Sequence, residues 1–208
     1  YTTLFRSMVT ERQIPDQDDD EFEPEHLNEQ IARLNEVLTE ENRERLQGFW
    51  QSKMVANLSD EARERLDDAY PVIVHALLVH EEQQQLANIA LPRLINLLEA
   101  ICRRSIYLVM IAENPNATVE LIPMLSASPW IAKELAHYPV LLDTFLQQRY
   151  RHLPDKRELR DILRQQLLRV EPNDEEELLS VLRLFKKNQV LAVAASDVLA
   201  ERPIMKVS

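Results

Sequence analysis

A single glycine, Gly48, stands in a chain of 208 residues. Tight β-hairpin turns and loops that close their backbone on a phosphate both draw on glycine, which adopts positive φ and accepts close approach at no steric cost. The expected fold class is therefore all-α, a helical bundle. Eleven prolines are expected to supply the punctuation between helices that glycine would otherwise give. A hydrophobic fraction of 45% at this length is enough to bury a core.

Read from the start, Tyr1 to Thr10 is short and amphipathic, with Leu4, Phe5, Met8 and Val9 able to share one helical face. It reads as the end of a helix from a preceding domain. Residues 11–25 read as an acidic linker: Glu11, Asp16, Asp18, Asp19, Asp20, Glu21, Glu23 and Glu25 stand against Arg12 alone. Eight acids minus one base gives −7 of the net −11, so the rest of the chain is only mildly acidic. Residues 26–208 read as the helical bundle.

Within it, Pro24 suits a helix first turn, and Leu27, Ile31, Leu34 and Leu38 recur as an amphipathic stripe. A second helix is expected from about Glu41 to Asn57, burying Leu46, Phe49, Trp50 and Met54. Ser59 reads as the N-cap of a third, through Leu66, Tyr70, Ile73 and Leu77. Pro71 falls inside that pattern, where an interior proline costs about 3 kcal/mol, so a kink or break is expected there. Leu86 to Ala112 is the most apolar stretch and reads as helix central to the bundle. Asn114-Pro115-Asn116 ends it. Ser128 with Pro129 at the first turn starts another helix, and segments follow at 140–149 and 156–170. Asn173 or Asp174 caps a long final helix to about Leu199, with acids of its first turn placed favourably against the helix dipole.

Few residues offer chemistry. Glu134 and His137 have the Glu-x-x-His spacing of di-iron bundles, but no second copy exists, and an exposed pair or local hydrogen bond is the expected role. His75 and His80 lie five apart, a spacing that does not stack on one helical face. Asp18 and Asp20 form an Asp-x-Asp inside the acidic run, without a context that would fix carboxylates at metal distance. Cys102, the lone cysteine, reads as a buried structural thiol in an apolar helical pattern and fits a reducing, cytoplasmic compartment. Lys186, Lys187 and Lys206 read as surface charges. No residue is assigned a catalytic, cofactor-binding or metal-binding role. No clustering of Lys and Arg with aromatics suggests nucleic acid, and no apolar run approaches the roughly 20 residues that span a bilayer. The start at Tyr1 rather than Met leads to the expectation that the chain begins inside a longer polypeptide.

Three blocks resemble the glutamine synthetase adenylyltransferase family, also called glutamate-ammonia ligase adenylyltransferase and adenylyl-removing enzyme. The first is Glu113-Asn114-Pro115, Ser126-Ala127-Ser128-Pro129-Trp130-Ile131-Ala132, Leu135, Tyr138-Pro139 and Leu141-Leu142-Asp143. The second is Leu167-Leu168-Arg169-Val170 with Asp174, Glu175 and Glu176. The third is Phe185-Lys186, Gln189, Ala194-Ala195, Asp197 and the closing Pro203-Ile204-Met205-Lys206-Val207-Ser208. Residues 1–112 match only in position, helicity and the acidic linker. Ala192, Ala200 and Arg202 depart from the family pattern.

The resemblance implies an enzyme with two nucleotidyltransferase halves, one attaching AMP from ATP to a tyrosine of glutamine synthetase and the other removing it by phosphorolysis. It implies magnesium and ATP for the parent enzyme, none of them in this segment, and glutamine synthetase and a PII-type signal protein as partners. The segment itself is expected to link the halves and position an adjacent nucleotidyltransferase domain beyond Ser208. The alternative is a free-standing helical adaptor that binds partner helices.

Overall fold

The computed structural model describes residues 27–79, 84–171 and 173–200. Among them are eleven α-helices and no strand, so the all-α expectation holds. The expectations for residues 1–10 and 11–25, and those for Pro24, Asp18, Asp20, His80 and Lys206, lie outside the described residues.

Helix α1 (Leu27–Val37) lays its predicted stripe on the core, burying Leu34, with Leu38 buried just beyond its end. The helix expected over 41–57 is instead two, α2 (Glu40–Trp50) and α3 (Lys53–Ala56). Ser52 restarts the chain, its hydroxyl oxygen accepting from the Val55 N–H at 3.2 Å. A serine whose oxygen satisfies a first-turn amide stabilises a new helix start more than the interior of an old one. Phe49 is buried as expected, whereas Leu46, Trp50 and Met54 are only half-buried.

Ser59 caps α4 (Asp60–Leu78) as expected, accepting from the Ala62 N–H. The break expected at Pro71 does not occur, and α4 runs through it. Proline removes one N–H donor, but Ala69, Val72, Ile73, Val74, Ala76 and Leu77 around it are all buried, and their packing holds the backbone helical. Pro92 and Pro123 likewise sit inside helices, so proline punctuates this chain less than expected.

The apolar stretch 86–112 divides into α5 (Gln84–Ile101) and α6 (Ser105–Glu113). Between them Arg104 leaves helical geometry at φ −122°, ψ 83° with no side-chain cap, and Ile106 is 60% exposed. The turn folds α6 back along α4 and sends Cys102 inward. Helix α7 (Pro115–Ala127) follows with Pro115 in its first turn. Ser128 then caps α8 (Pro129–His137), its oxygen 3.2 Å from the Ile131 amide. The 140–149 segment is α9 (Leu141–Leu146), followed by a 3-10 turn over Arg149–Arg151; Gln148 between them takes φ 54°.

Helix α10 (Lys156–Leu167) opens on a capping box. The Asp155 carboxylate accepts from the Arg157 and Glu158 amides, while Glu158 accepts from the Asp155 N–H at 2.7 Å. Asp174 caps α11 (Glu175–Ala200), accepting from the Glu177 amide at 2.8 Å.

The centre is α4, α5 and α7. Helix α5 packs against α1, α2, α4, α6, α7 and α8, as its apolar surface requires. Leu66, Leu77, Leu91, Leu94, Leu97, Leu121 and Ile122 are fully buried there, each contributing roughly 1.5–3 kcal/mol relative to exposure. Polar ties fix the layers. Asn42, buried on α2, donates from Nδ2 to the Asn88 backbone and side-chain oxygens, both at 2.9 Å. Asn88 Nδ2 in turn donates to the Val37 carbonyl at 3.0 Å, so α5 holds the α1–α2 corner. Arg93 of α5 donates to the carbonyl of Ser126 at 2.8 Å, satisfying the open end of α7.

Gly48 serves none of these needs. It lies exposed inside α2 with nothing within 4 Å of where a Cβ would stand. Gly48→Ala is expected to stabilise the chain by roughly 0.5–1 kcal/mol through the unfolded-state entropy of glycine. Urea denaturation read by circular dichroism measures it; a loss of stability would mean that Gly48 has a contact the fold does not display.

Candidate functional site

Among the described residues, a polar side-chain contact reaching across 53 positions of sequence lies at the middle of α11. Lys187 forms an ion pair with Glu134 of α8, the two side chains only 22% and 17% exposed. The same ammonium lies 4.2 Å from the ring centroid of Tyr138, a cation–π contact. One residue on, the Thr144 hydroxyl of α9 donates to Asn188 Oδ1 at 2.8 Å. Two neighbouring side chains of α11 are thus fastened to two different helices.

Below these contacts the buried half of α11 begins. Leu191, Ala192 and Ala195 are buried, and the helix packs against α7, α9 and the 3-10 turn. That turn is tied to α7 through Glu120, which takes a hydrogen bond from the Tyr150 hydroxyl and an ion pair from Arg151. Tyr150 also stacks on Phe145, centroids 5.1 Å apart at 16°. Helix α11 also packs with α10, which buries none of its own side chains. Between α10, α9 and α11 lies a half-enclosed cleft of about 270 Å³, lined by Thr144, His152, Ile162, Phe185, Asn188 and Gln189 among others.

The sequence candidates fall as follows. Glu134 and His137 share α8 but not a role: Glu134 pairs with Lys187, and His137 is exposed beside the Tyr138 ring at 5.7 Å. The exposed or local pair expected of them is corrected for Glu134, whose partner lies across the bundle. Lys187, expected on the surface, is corrected in the same way, while Lys186 is exposed as expected. His75 is half-buried on α4. Cys102 is buried, as expected, though in the turn after α5 rather than inside a helix. Its sulfur lies 3.6 Å from both Met54 Sδ and the Glu99 carbonyl, and burial pushes the thiol up against the lesser pull of Arg103. Nothing in the sequence announced the Lys187–Glu134 and Thr144–Asn188 contacts, which join residues 53 and 44 positions apart.

The described residues do not fit magnesium and a nucleotide. No three His, Cys, Asp or Glu residues among them are grouped to hold a metal ion. The one glycine sits mid-helix and open rather than in a phosphate-cradling loop. Among the described residues, no helix is long and apolar enough to cross a membrane.

Residues 118–208 match the family model for Glutamate-ammonia ligase adenylyltransferase. The chain is 44% identical over 205 residues to the bifunctional glutamine synthetase adenylyltransferase/adenylyl-removing enzyme of Acinetobacter baylyi, covering 98% of this chain and 21% of that protein. It is 42% identical over 159 residues to the enzyme of the same name from Hahella chejuensis, 76% of this chain and 16% of the other. With that of Pseudomonas aeruginosa the identity is 36% over 188 residues, 90% of this chain and 19% of the other. The resemblance carried by residues 113–208 is borne out, and the likeness also extends through the first half, further than the sequence blocks alone indicated. The chain spans about a fifth of the length of these relatives.

Three outcomes follow from the site. Lys187→Met strips a half-buried carboxylate of its partner and is expected to cost roughly 1–3 kcal/mol, with Glu134→Gln in the same chain recovering part of the loss. A double-mutant cycle by urea denaturation measures the coupling, and additive losses would contradict it. Cys102 is expected to react with a thiol reagent at the rate of unfolding, and rapid labelling of the folded chain would show it to be accessible. Burial pushes the Glu120 carboxyl up, against the opposing pull of Arg151. Between the usual glutamate range and that raised value the folded chain holds a proton that the unfolded chain has lost, so this group's contribution to stability falls as pH rises through the window. Glu120→Gln is expected to flatten that part of the pH–stability curve, as read from urea midpoints at several pH values.

Proposed function

We propose that this chain, related to the glutamate-ammonia ligase adenylyltransferase family over nearly its whole length, is a helical support segment of an enzyme that adenylylates and de-adenylylates a tyrosine of glutamine synthetase. The 44% identity over 98% of the chain, set against 21% of the relative, is the observation that carries this reading. A stretch that aligns with about a fifth of a much longer relative and folds as packed helices supports a part in holding the enzyme together.

In this reading residues 1–10 end a preceding domain, residues 11–25 are the acidic linker and residues 26–208 are the bundle before a nucleotidyltransferase domain. The parent works in the cytoplasm with ATP and magnesium, acts on glutamine synthetase and answers to a PII-type signal protein. The bundle contributes position. Helix α11 is anchored through Lys187, Asn188 and the buried residues beyond them, so it keeps a fixed orientation to the core.

The test compares AMP transfer to glutamine synthetase by a full-length enzyme containing this segment with the same assay on the chain by itself. Transfer is expected from the first and none from the second. Transfer by the chain alone would overturn the supporting role, and none from a folded full-length enzyme would overturn the family activity.

A further inference from the structure

Helix α10 is amphipathic along its length yet buries none of its side chains. Leu159, Leu163 and Leu167 recur at spacings of four and are only half-buried, and Leu168 at the helix end is 78% exposed. Beside that stripe Lys156, Arg160 and Arg164 form a second row, again four apart and all exposed. Leu163, Leu167 and Leu168 line a shallow open groove of about 300 Å³ together with Arg160 and Arg164.

The chain does not neutralise that row itself. On α2 and α4, Arg43, Arg45, Arg63 and Arg65 each pair with an acid three or four positions away on their own helix. Lys156 and Arg160 have no acid at those spacings. Among the described residues, none of Lys156, Arg160 and Arg164 forms an ion pair. Like charges four apart disfavour a helix, so the row costs the fold stability that an acid from outside would restore. Residues 156–169 hold five bases against two acids, a local +3 inside a chain of −11.

We propose that α10 is the docking surface for an acidic amphipathic helix of another protein, with apolar side chains in the groove and carboxylates four apart along Lys156, Arg160 and Arg164. An anionic membrane fits less well. Helix α10 has no Trp, Tyr or Phe to sit at headgroup level. Glu171, Asp174 and Glu175 stand with Leu167 on the adjoining surface, where a flat bilayer would meet them and a single helix need not. A second copy laid α10 on α10 would set the basic rows against each other. This inference stands apart from the enzymatic reading and needs no part of it.

The probe is a synthetic peptide of about 18 residues, long enough to be helical, with leucines on one face and glutamates four apart beside them. Its control has the same composition shuffled to scatter the leucines. In fluorescence anisotropy titrations with the intact chain, the amphipathic peptide is expected to bind about tenfold more tightly than the shuffled one. Arg160→Glu with Arg164→Glu, or Leu168→Ser by itself, is expected to remove most of that difference. Arg45→Glu with Lys133→Glu, the same change of charge at exposed positions of α2 and α8, is expected to leave it in place. Circular dichroism checks that each variant folds, and the leucine arm keeps the test readable if the charge reversals do not. Equal affinity for the two peptides, or equal loss from both sets of charge reversals, would overturn the proposal. So would tighter binding to vesicles of phosphatidylserine and phosphatidylcholine that the α10 variants abolish, which would give the surface to a membrane. A concentration-dependent dimer in sedimentation, abolished by the same variants, would give it to a second copy and overturn the proposal too.

Discussion

Mutual burial of α4, α5 and α7 is the constraint on which the rest of the structure depends. The chain has one cysteine and one glycine, so neither an internal disulfide nor a set of glycine turns can fix its shape. What fixes it is apolar area. Leu66, Leu77, Leu91, Leu94, Leu121 and Ile122 meet at the centre with nothing left to solvent, and α6 and α8 close the sides. That packing lets α4, α5 and α7 each run through an interior proline. A lost backbone hydrogen bond on a partly exposed side is small beside several buried side chains per turn.

The helix ends that depend on local chemistry were legible in the sequence. Ser59, Ser128 with Pro129, and Asp174 each start a helix where their side-chain oxygens can accept a first-turn amide. Two joints were not legible. The break at Ser52 uses the same capping chemistry but sits between residues that propagate helix well, so pattern alone favoured continuity. The turn at Arg103 and Arg104 has no cap, glycine or proline; it exists because α6 has α4 to pack on, a tertiary reason. The same holds for the site. Glu134 was visible only as half of an incomplete metal motif, since the sequence holds no trace of a lysine 53 positions away.

Those long-range contacts divide α11. Beyond Lys187 and Asn188 it is part of the core, with Leu191, Ala192 and Ala195 buried; before them Leu184 is half-buried against the core, while Leu179 and Leu182 are exposed. A helix anchored over half its length transmits the orientation of the core to whatever follows, provided the anchor holds. The contacts that set this orientation are an ion pair, a hydroxyl–amide contact and a stacked ring.

Native-state hydrogen exchange on α11 tests this division most directly. Amides from about 188 to 199 are expected to exchange only with opening of the core, and those from about 178 to 186 much sooner, with Lys187→Met shifting the boundary toward the C-terminal end. Uniform protection along the helix, or a boundary unmoved by that substitution, would contradict the account.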